Sequence, residues 1–159
     1  MVSILDRLYA RVSNRRLFFR EGWGDRRMLE AAAGGAWDSR PVSAEADLSW
    51  QTAENLPGVA IRRGSFPSPA MEIGLPEESR VASFEMVLPA ESSLDTPLCI
   101  HFAATGDEGF SRRRIAIALP LVKAGIGSVI LENPYYGSRR PAGQQGKMLR
   151  RVSDLWKMG

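Results

Sequence analysis

Residues 98–137, which read LCIHFAATGDEGFSRRRIAIALPLVKAGIGSVILENPYYG, decide the fold of this chain. Residues 98–104 are almost continuously apolar, a pattern typical of a strand that is covered on both faces. Residues 109–123 have the apolar spacing of a helix, in which Pro120 is expected to cause a kink or start a new turn. Residues 127–132 form a second apolar run. Two such strands separated by a helix predict a parallel βαβ unit.

Weaker patterns surround this unit. In residues 80–88, apolar side chains alternate with Ser83 and Glu85, which predicts a strand with one solvated face near a sheet edge. The other predicted elements are a strand at 59–66, helices at 3–19, 25–33 and 146–158, and mostly loop at 34–57. We therefore divide the chain into a helical and loop segment, 1–57, and the first, incomplete part of a sheet domain, 58–159.

The charge balance argues against nucleic acid as a partner. The chain has 21 Lys and Arg against 18 Asp and Glu, whereas a nucleic-acid binder would show a stronger basic surplus on one face. A single cysteine, Cys99, excludes an internal disulfide and suits a reducing, intracellular compartment. One His and one Cys cannot build a conventional zinc site, so we expect no metal. We also expect no cofactor. No apolar run reaches the ~20 residues that span a bilayer.

The first twenty residues are rich in arginine. Five arginines stand against one acid, Asp6: Arg7, Arg11, Arg15, Arg16 and Arg20. A basic helix at 3–19 fits a transit peptide or peripheral contact with an anionic membrane surface. We favour the alternative, a helix packed on the domain with solvated arginines, since Arg15 and Arg16 interrupt the apolar face. The choice between a cytoplasmic, mitochondrial or membrane-associated location stays open.

Two polar turns occupy the carboxyl ends of the predicted parallel strands, which is where ligands of open parallel sheets bind. The first comprises Ala103, Ala104, Thr105, Gly106 and Asp107, and the second comprises Asn133, Pro134, Tyr135, Tyr136 and Gly137. Small residues in the first turn allow backbone N–H groups to approach a ligand closely. The alternative is a turn that only caps the following helix. The two tyrosines either line a pocket or cover the end of the sheet.

A complete Ser-His-Asp triad is absent, because the nucleophile elbow G-x-S-x-G occurs nowhere in these residues. His101, the only histidine, stands in the strand before the first turn. We expect it to act structurally, through a side-chain hydrogen bond that holds the adjacent loop. The arginine run 112–114 either binds an anionic group or, as we favour, forms ion pairs with Asp107, Glu108 or other acids.

A nicotinamide-cofactor domain is one alternative function. Thr105-Gly106, Gly109 and an acid at Glu132, after the second strand, are similar to the first unit of short-chain dehydrogenases. That fingerprint needs further glycines where Phe110 and Arg112 stand, and bulky side chains there block a pyrophosphate from the helix N-terminus. We therefore rank an NAD(P)-binding function second. A short, non-catalytic binding fragment is the third possibility.

Several stretches together resemble one family. They are Leu5-Asp6, Leu17-Phe18-Phe19-Arg20, Gly22-Trp23-Gly24, His101-Phe102-Ala103-Ala104-Thr105-Gly106-Asp107, Arg112-Arg113-Arg114, Leu131-Glu132-Asn133-Pro134-Tyr135-Tyr136-Gly137, Val152-Ser153-Asp154-Leu155 and Met158-Gly159. In this order they resemble the α/β-hydrolase superfamily, in particular the subfamily of abhydrolase domain-containing protein eighteen. The resemblance implies the N-terminal portion of that fold, truncated before the nucleophile elbow. Antiparallel edge strands would precede the parallel βαβ unit.

The resemblance also implies a role for the first turn. In α/β-hydrolases one oxyanion-hole N–H comes from the loop after the third strand, here residues 103–107, with Thr105 and Gly106 as the best candidates. His101 and residues 133–137 would support this loop. The family's serine, acid and histidine would follow Gly159, so we expect this chain alone to be inactive. The implied reaction is hydrolysis of a small-molecule or lipid ester, in lipid metabolism.

Overall fold

The computed structural model describes residues 3–5, 7–8, 18–34 and 47–158. The chain forms two compact units, one comprising residues 1–39, 144–157 and 159, and the other comprising residues 40–143 and 158. The predicted helix at 3–19 lies mostly outside the described residues. Within the described ranges, no helix combines the length and apolar character that crossing a membrane requires.

The larger unit is built on a five-stranded sheet. The strands are β1 Ser49–Leu56, β2 Val59–Pro67, β3 Val81–Pro89, β4 Leu98–His101 and β5 Gly127–Leu131. Their order in the sheet is β1-β2-β3-β5-β4. The first three strands and the β3–β5 pair are antiparallel, while β4 and β5 are parallel. The predicted antiparallel strands followed by a parallel βαβ unit are therefore confirmed.

Strand β1 lies where the sequence predicts mostly loop, so that prediction is wrong for Ser49–Leu56. Its sequence, SWQTAENL, lacks the apolar alternation that signals a half-buried strand. The strand is held by antiparallel pairing with β2, and Trp50 makes an edge-to-face contact with Phe84, with 5.3 Å between the ring centroids. The boundary expected between residues 57 and 58 stays a prediction.

Strand β3 lies between β2 and β5, so the prediction of a sheet edge with one solvated face is wrong. Phe84 is buried on one face, and Glu85 and Val87 are fully buried on the other. The alternation predicts that Glu85 faces solvent, whereas its charged carboxylate lies in the interior. Its carboxylate lies 2.8 Å from Nε of Arg63 and 3.2 Å from Nη1 of Arg114, and these ion pairs offset its desolvation.

The crossover helix α2, residues 111–123, has three consecutive parts. Ser111–Arg113 and Leu119–Lys123 are α-helical, and Arg114–Ala118 between them forms a wider π turn. The Leu119 N–H donates to the Arg114 carbonyl, five residues earlier. This turn explains how Pro120 is accommodated, because proline has no N–H and its ring crowds the carbonyl four residues earlier. The disturbance expected at Pro120 thus appears as a local widening of the helix.

The core of the larger unit lies between α2 and the sheet. It consists of Ile61, Val87, Ala118, Val122 and Ile130, with Val59, Phe110 and Leu119 packed against it. Val87, Ala118 and Ile130 are completely shielded from solvent. This contact between helix and sheet fixes the position of the helix start, and hence of the loop that precedes it.

Strand β4 differs from its prediction. It pairs with β5 only, at the end of the described sheet. Leu98, Ile100 and Phe102 are 51%, 56% and 76% exposed, so the expectation of a strand covered on both faces is wrong for the described chain. The inward residue His101 is buried, which shows that one face alone is covered.

The described residues of the smaller unit include the helices α1 Arg26–Ala33 and α3 Val152–Met158. The predicted helix at 25–33 is confirmed, whereas only the second half of the predicted helix at 146–158 forms. Backbone hydrogen bonds join the segment around Gly22-Trp23-Gly24 to the start of α3, where the Ser153 N–H donates to the Trp23 carbonyl at 3.0 Å. Gly24 has φ +73°, and a Cβ there would lie 2.2 Å from Oγ of Ser153.

Candidate functional site

The parallel pairing of β4 and β5 places the two predicted turns at the same edge of the sheet. We call residues 102–110 the first loop and residues 132–140 the second loop. The side-chain amide of Asn133 donates to the Ala103 carbonyl at 2.9 Å, which joins the loops directly. The structure therefore brings together the residues that the sequence assigned to a common site.

The first loop contains a tight turn at residues 104–107. The Asp107 N–H donates to the Ala104 carbonyl at 2.9 Å, and Gly106 has φ +85°, a conformation that favours glycine. The Asp107 amide is thus used inside the turn. By contrast, the amide of Thr105 has no hydrogen-bond partner in the described part of the chain, and Thr105 is exposed.

Gly106 lies close to Tyr136 of the second loop. Burial raises the pKa of the Tyr136 phenol, and the nearby Gly106 backbone partly offsets that rise. Tyr135 and Tyr136 are only 3% and 0% exposed, so they cover the end of the sheet. Of the two amides that the family resemblance suggests for binding an anionic oxygen, that of Thr105 is the one without a hydrogen-bond partner among the described residues.

Arg113 is the main support of the first loop. It is 6% exposed, and its Nε lies 2.9 Å from Oδ2 of Asp107, which confirms the expected ion pair. Its Nη1 donates to the carbonyls of His101, at 3.0 Å, and Leu131, at 2.6 Å, which end the two parallel strands. Its Nη2 donates to the Gly109 carbonyl at 3.0 Å. Arg112 is exposed, so neighbouring arginines have different environments.

Glu132 joins the two loops from the other side. Its Oε1 accepts the Gly109 N–H at 2.8 Å, and its Oε2 accepts from the backbone N–H and the hydroxyl of Ser138 at 3.2 and 2.6 Å. Glu132 is 4% exposed. A Cβ at Gly137 would lie only 1.7 Å from Oε1, so glycine is required for this approach. The carboxylate that an NAD(P)-binding function would need for a ribose is therefore occupied.

His101 supports the end of the strand rather than the loop. Its Nε2 lies 3.0 Å from Oγ of Ser128 in β5, so the side chain joins the two parallel strands. Burial, and then the charge of Arg113, lower the pKa of His101, which keeps the imidazole neutral near pH 7. The side-chain hydrogen bond that the sequence predicts between His101 and the adjacent loop is instead made to Ser128 in β5.

The second loop is fixed by residues that the sequence analysis missed. Nη1 of Arg139 donates to the Glu132 carbonyl at 2.6 Å, and its Nη2 donates to the Ser79 carbonyl at 2.7 Å. The Ser79 hydroxyl donates to the Arg139 carbonyl at 2.6 Å and accepts the Tyr135 N–H at 3.1 Å. Burial lowers the pKa of Arg139 to about 10, so it stays charged at neutral pH. No local pattern marks Ser79, since its partners lie far along the chain.

The chain resembles known proteins in both sequence and fold. The family model "Alpha/beta hydrolase domain containing 18" matches residues 16–159. The structure of a "putative acetyl xylan esterase" from Bacteroides fragilis NCTC 9343 aligns with a TM-score of 0.51 and 17% identity, over 89% of this chain and 40% of that one. A PEG-bound cold-adapted esterase from an Arctic intertidal metagenomic library aligns with a TM-score of 0.44 and 22% identity, over 56% of this chain and 34% of that one.

The chain thus spans about two fifths or less of the length of these two solved structures. At this identity the Bacteroides structure supports the fold alone, a mixed sheet of α/β-hydrolase type with flanking helices. The family match covers most of the chain, including both loops of the site. The chain therefore belongs to the alpha/beta hydrolase domain containing 18 family.

Proposed function

We propose that this chain provides the oxyanion-binding loop of a serine hydrolase that cleaves esters. The observation that carries the proposal is the Thr105 amide, which is exposed at the carboxyl end of β4 and has no partner among the described residues. Ala103 and Asp107, two residues before and two residues after it, are held by Asn133 and Arg113. A fixed, unpaired N–H is the group that stabilises the negative oxygen of a tetrahedral intermediate.

The nucleophile in this proposal lies outside the 159 residues. No serine here stands in a G-x-S-x-G elbow, and the imidazole of His101 is engaged with Ser128. The whole protein would supply the serine, its base and the acid, while this chain alone would be inactive. The chain would contribute the electrostatic part of catalysis, because an oxyanion donor acts on charge that develops only in the transition state.

The substrate class in this proposal is a carboxylic ester, small or lipid. Family membership supports hydrolase chemistry, and the fold match with a protein described as an acetyl xylan esterase agrees with it. Ile100 and Phe102, exposed near the carboxyl end of β4 and at the start of the first loop, would give an acyl chain apolar surface nearby. This exposed apolar surface supports a lipid ester over a polar one.

The test uses the whole protein and a fluorophosphonate probe, which labels an activated serine. Labelling of the wild type is expected, and its absence would contradict the proposal. Thr105→Pro removes the amide proton, and Thr105→Ala keeps it. We expect Thr105→Pro to lower the turnover of a p-nitrophenyl ester by roughly 100-fold, equivalent to about 3 kcal/mol, and Thr105→Ala to change it little.

A second variant guards against misfolding of Thr105→Pro. Gly106→Val places a β-branched side chain at φ +85° and should distort the turn while leaving the sheet intact. Circular dichroism checks that both variants keep the fold. Unchanged turnover in both folded variants would remove the first loop from the oxyanion role.

A further inference from the structure

We infer that Arg113 and Glu132 are positioning residues that set the place of the Thr105 amide, an inference that rests on the proposed function. Their side chains, which we call the clamp, meet at Gly109. Glu132 accepts the Gly109 N–H at 2.8 Å, and Arg113 donates to the Gly109 carbonyl at 3.0 Å. Both polar groups of this one residue are thereby fixed by buried charges.

Packing anchors the first loop at Phe110, which lies against the core. At Gly109, the residue before it, a Cβ would meet nothing within 4 Å, so the side-chain direction of this glycine is open. The hydrogen bonds to the clamp restrict the Gly109 backbone itself, between this anchor and Thr105. Loss of either bond should let this part of the loop shift.

Arg113 also links the first loop to the sheet. One nitrogen, Nη1, contacts the carbonyls of His101 and Leu131, the last residues of the two parallel strands. Through Nε it pairs with Asp107, two residues after Thr105. The planar guanidinium directs its donors in a rigid fork, which the single ammonium of lysine cannot reproduce. Lysine would keep the charge and lose the geometry.

Stability alone explains the clamp poorly. Buried ion pairs often contribute no more to folding than well-packed apolar residues of similar volume, because desolvation offsets their attraction. Arg113 and Glu132 are 6% and 4% exposed, so both bear that desolvation. A requirement for fixed geometry next to the reacting atoms accounts for the two charges, since small displacements of catalytic groups strongly reduce rates.

The test compares Arg113→Lys and Glu132→Gln with the control Arg112→Lys, which alters the exposed neighbour of Arg113. In the whole protein, kcat for a p-nitrophenyl ester should fall by up to about 100-fold in the two clamp variants, with KM changed less than about twofold. The control should match the wild type. Activities are divided by the folded fraction from urea unfolding, so a merely structural role would leave kcat unchanged.

Hydrogen exchange in the same whole protein provides a measurement that does not depend on catalysis. The clamp variants should exchange the Gly109 and Asp107 amides at least about tenfold faster, while amides in the β2–β3 pair keep their rates. Equal exchange at Gly109, or an unchanged kcat in a labelled protein, would overturn the inference. A wild type that the fluorophosphonate probe does not label would instead overturn the proposed function.

Discussion

Replacement of Gly137 by alanine tests the geometry at Glu132 directly. Gly137 has φ +54°, and a Cβ there would lie 1.7 Å from Oε1 and 2.5 Å from Cδ of Glu132. The carboxylate must move, because two non-bonded atoms cannot lie this close together. It cannot move without loss of hydrogen bonds, since it accepts from Gly109 and twice from Ser138.

Two costs add up in Gly137→Ala. An L-residue in the left-handed region costs about 1 kcal/mol more than glycine. Loss of one hydrogen bond to a buried charged group costs about 2 kcal/mol, and loss of more than one costs correspondingly more. We expect the free energy of unfolding to fall by about 3 kcal/mol or more, which is a large part of the stability of a small domain.

The assay is urea unfolding followed by tryptophan fluorescence, with Gly125→Ala as the matched control. Gly125 has φ +76°, but a Cβ there would meet nothing within 4 Å, so only the backbone cost of about 1 kcal/mol applies. Glu132→Asp shortens the carboxylate and should reduce the extra cost of Gly137→Ala in the double variant. Equal destabilisation by Gly137→Ala and Gly125→Ala would refute the proposed contact.

Three further predictions concern buried polar groups. Glu85→Ala should destabilise the fold by about 3 kcal/mol in thermal or urea unfolding, because Arg63 and Arg114 lose their buried counter-charge. The partial exposure of the two arginines limits the effect. A cost below about 1 kcal/mol would contradict this prediction. Ser79→Ala should cost about 2 kcal/mol, since it removes the hydroxyl that accepts from the Tyr135 N–H and donates to the Arg139 carbonyl, and Ser83→Ala is the control. The pKa of His101 in the folded protein lies below its unfolded value near 6.5. The contribution of His101 to stability is therefore complete above pH 6.5 and is lost as the pH falls through the folded pKa. His101→Gln should remove this part of the pH dependence of the free energy of unfolding, and identical pH profiles of variant and wild type would contradict the prediction.

The βαβ unit could be predicted because its signals are local. The apolar runs that become β4 and β5, and the helical spacing between them, need only neighbouring residues to be recognised. The two polar turns followed from the rule that the carboxyl ends of parallel strands meet at one edge of the sheet. The pair formed by Arg113 and Asp107 could also be anticipated, because both residues lie within one turn and the helix start that follows it.

The remaining contacts join distant parts of the chain. Ser79 and Arg139 are 60 residues apart, and Glu85 and Arg114 are 29 residues apart. Nothing in the local pattern around Glu85 distinguishes a buried charge from a solvated one, so the sequence predicts that β3 lies at a sheet edge. Only the placement of α2 over that face reveals that the carboxylate is inside.

Directed hydrogen bonds and ion pairs hold the two loops of the site. At Gly109 the side-chain direction is open and the N–H and carbonyl bond two buried charges, whereas at Gly137 one of those charges occupies the side-chain direction. Both glycines therefore contact the Glu132 carboxylate. The Gly109 N–H donates a hydrogen bond to it, and Gly137 lacks the side chain that would displace it. Because hydrogen bonds specify direction and apolar contacts do not, this arrangement can hold one amide in a fixed orientation at an exposed turn. That property is what an oxyanion donor requires.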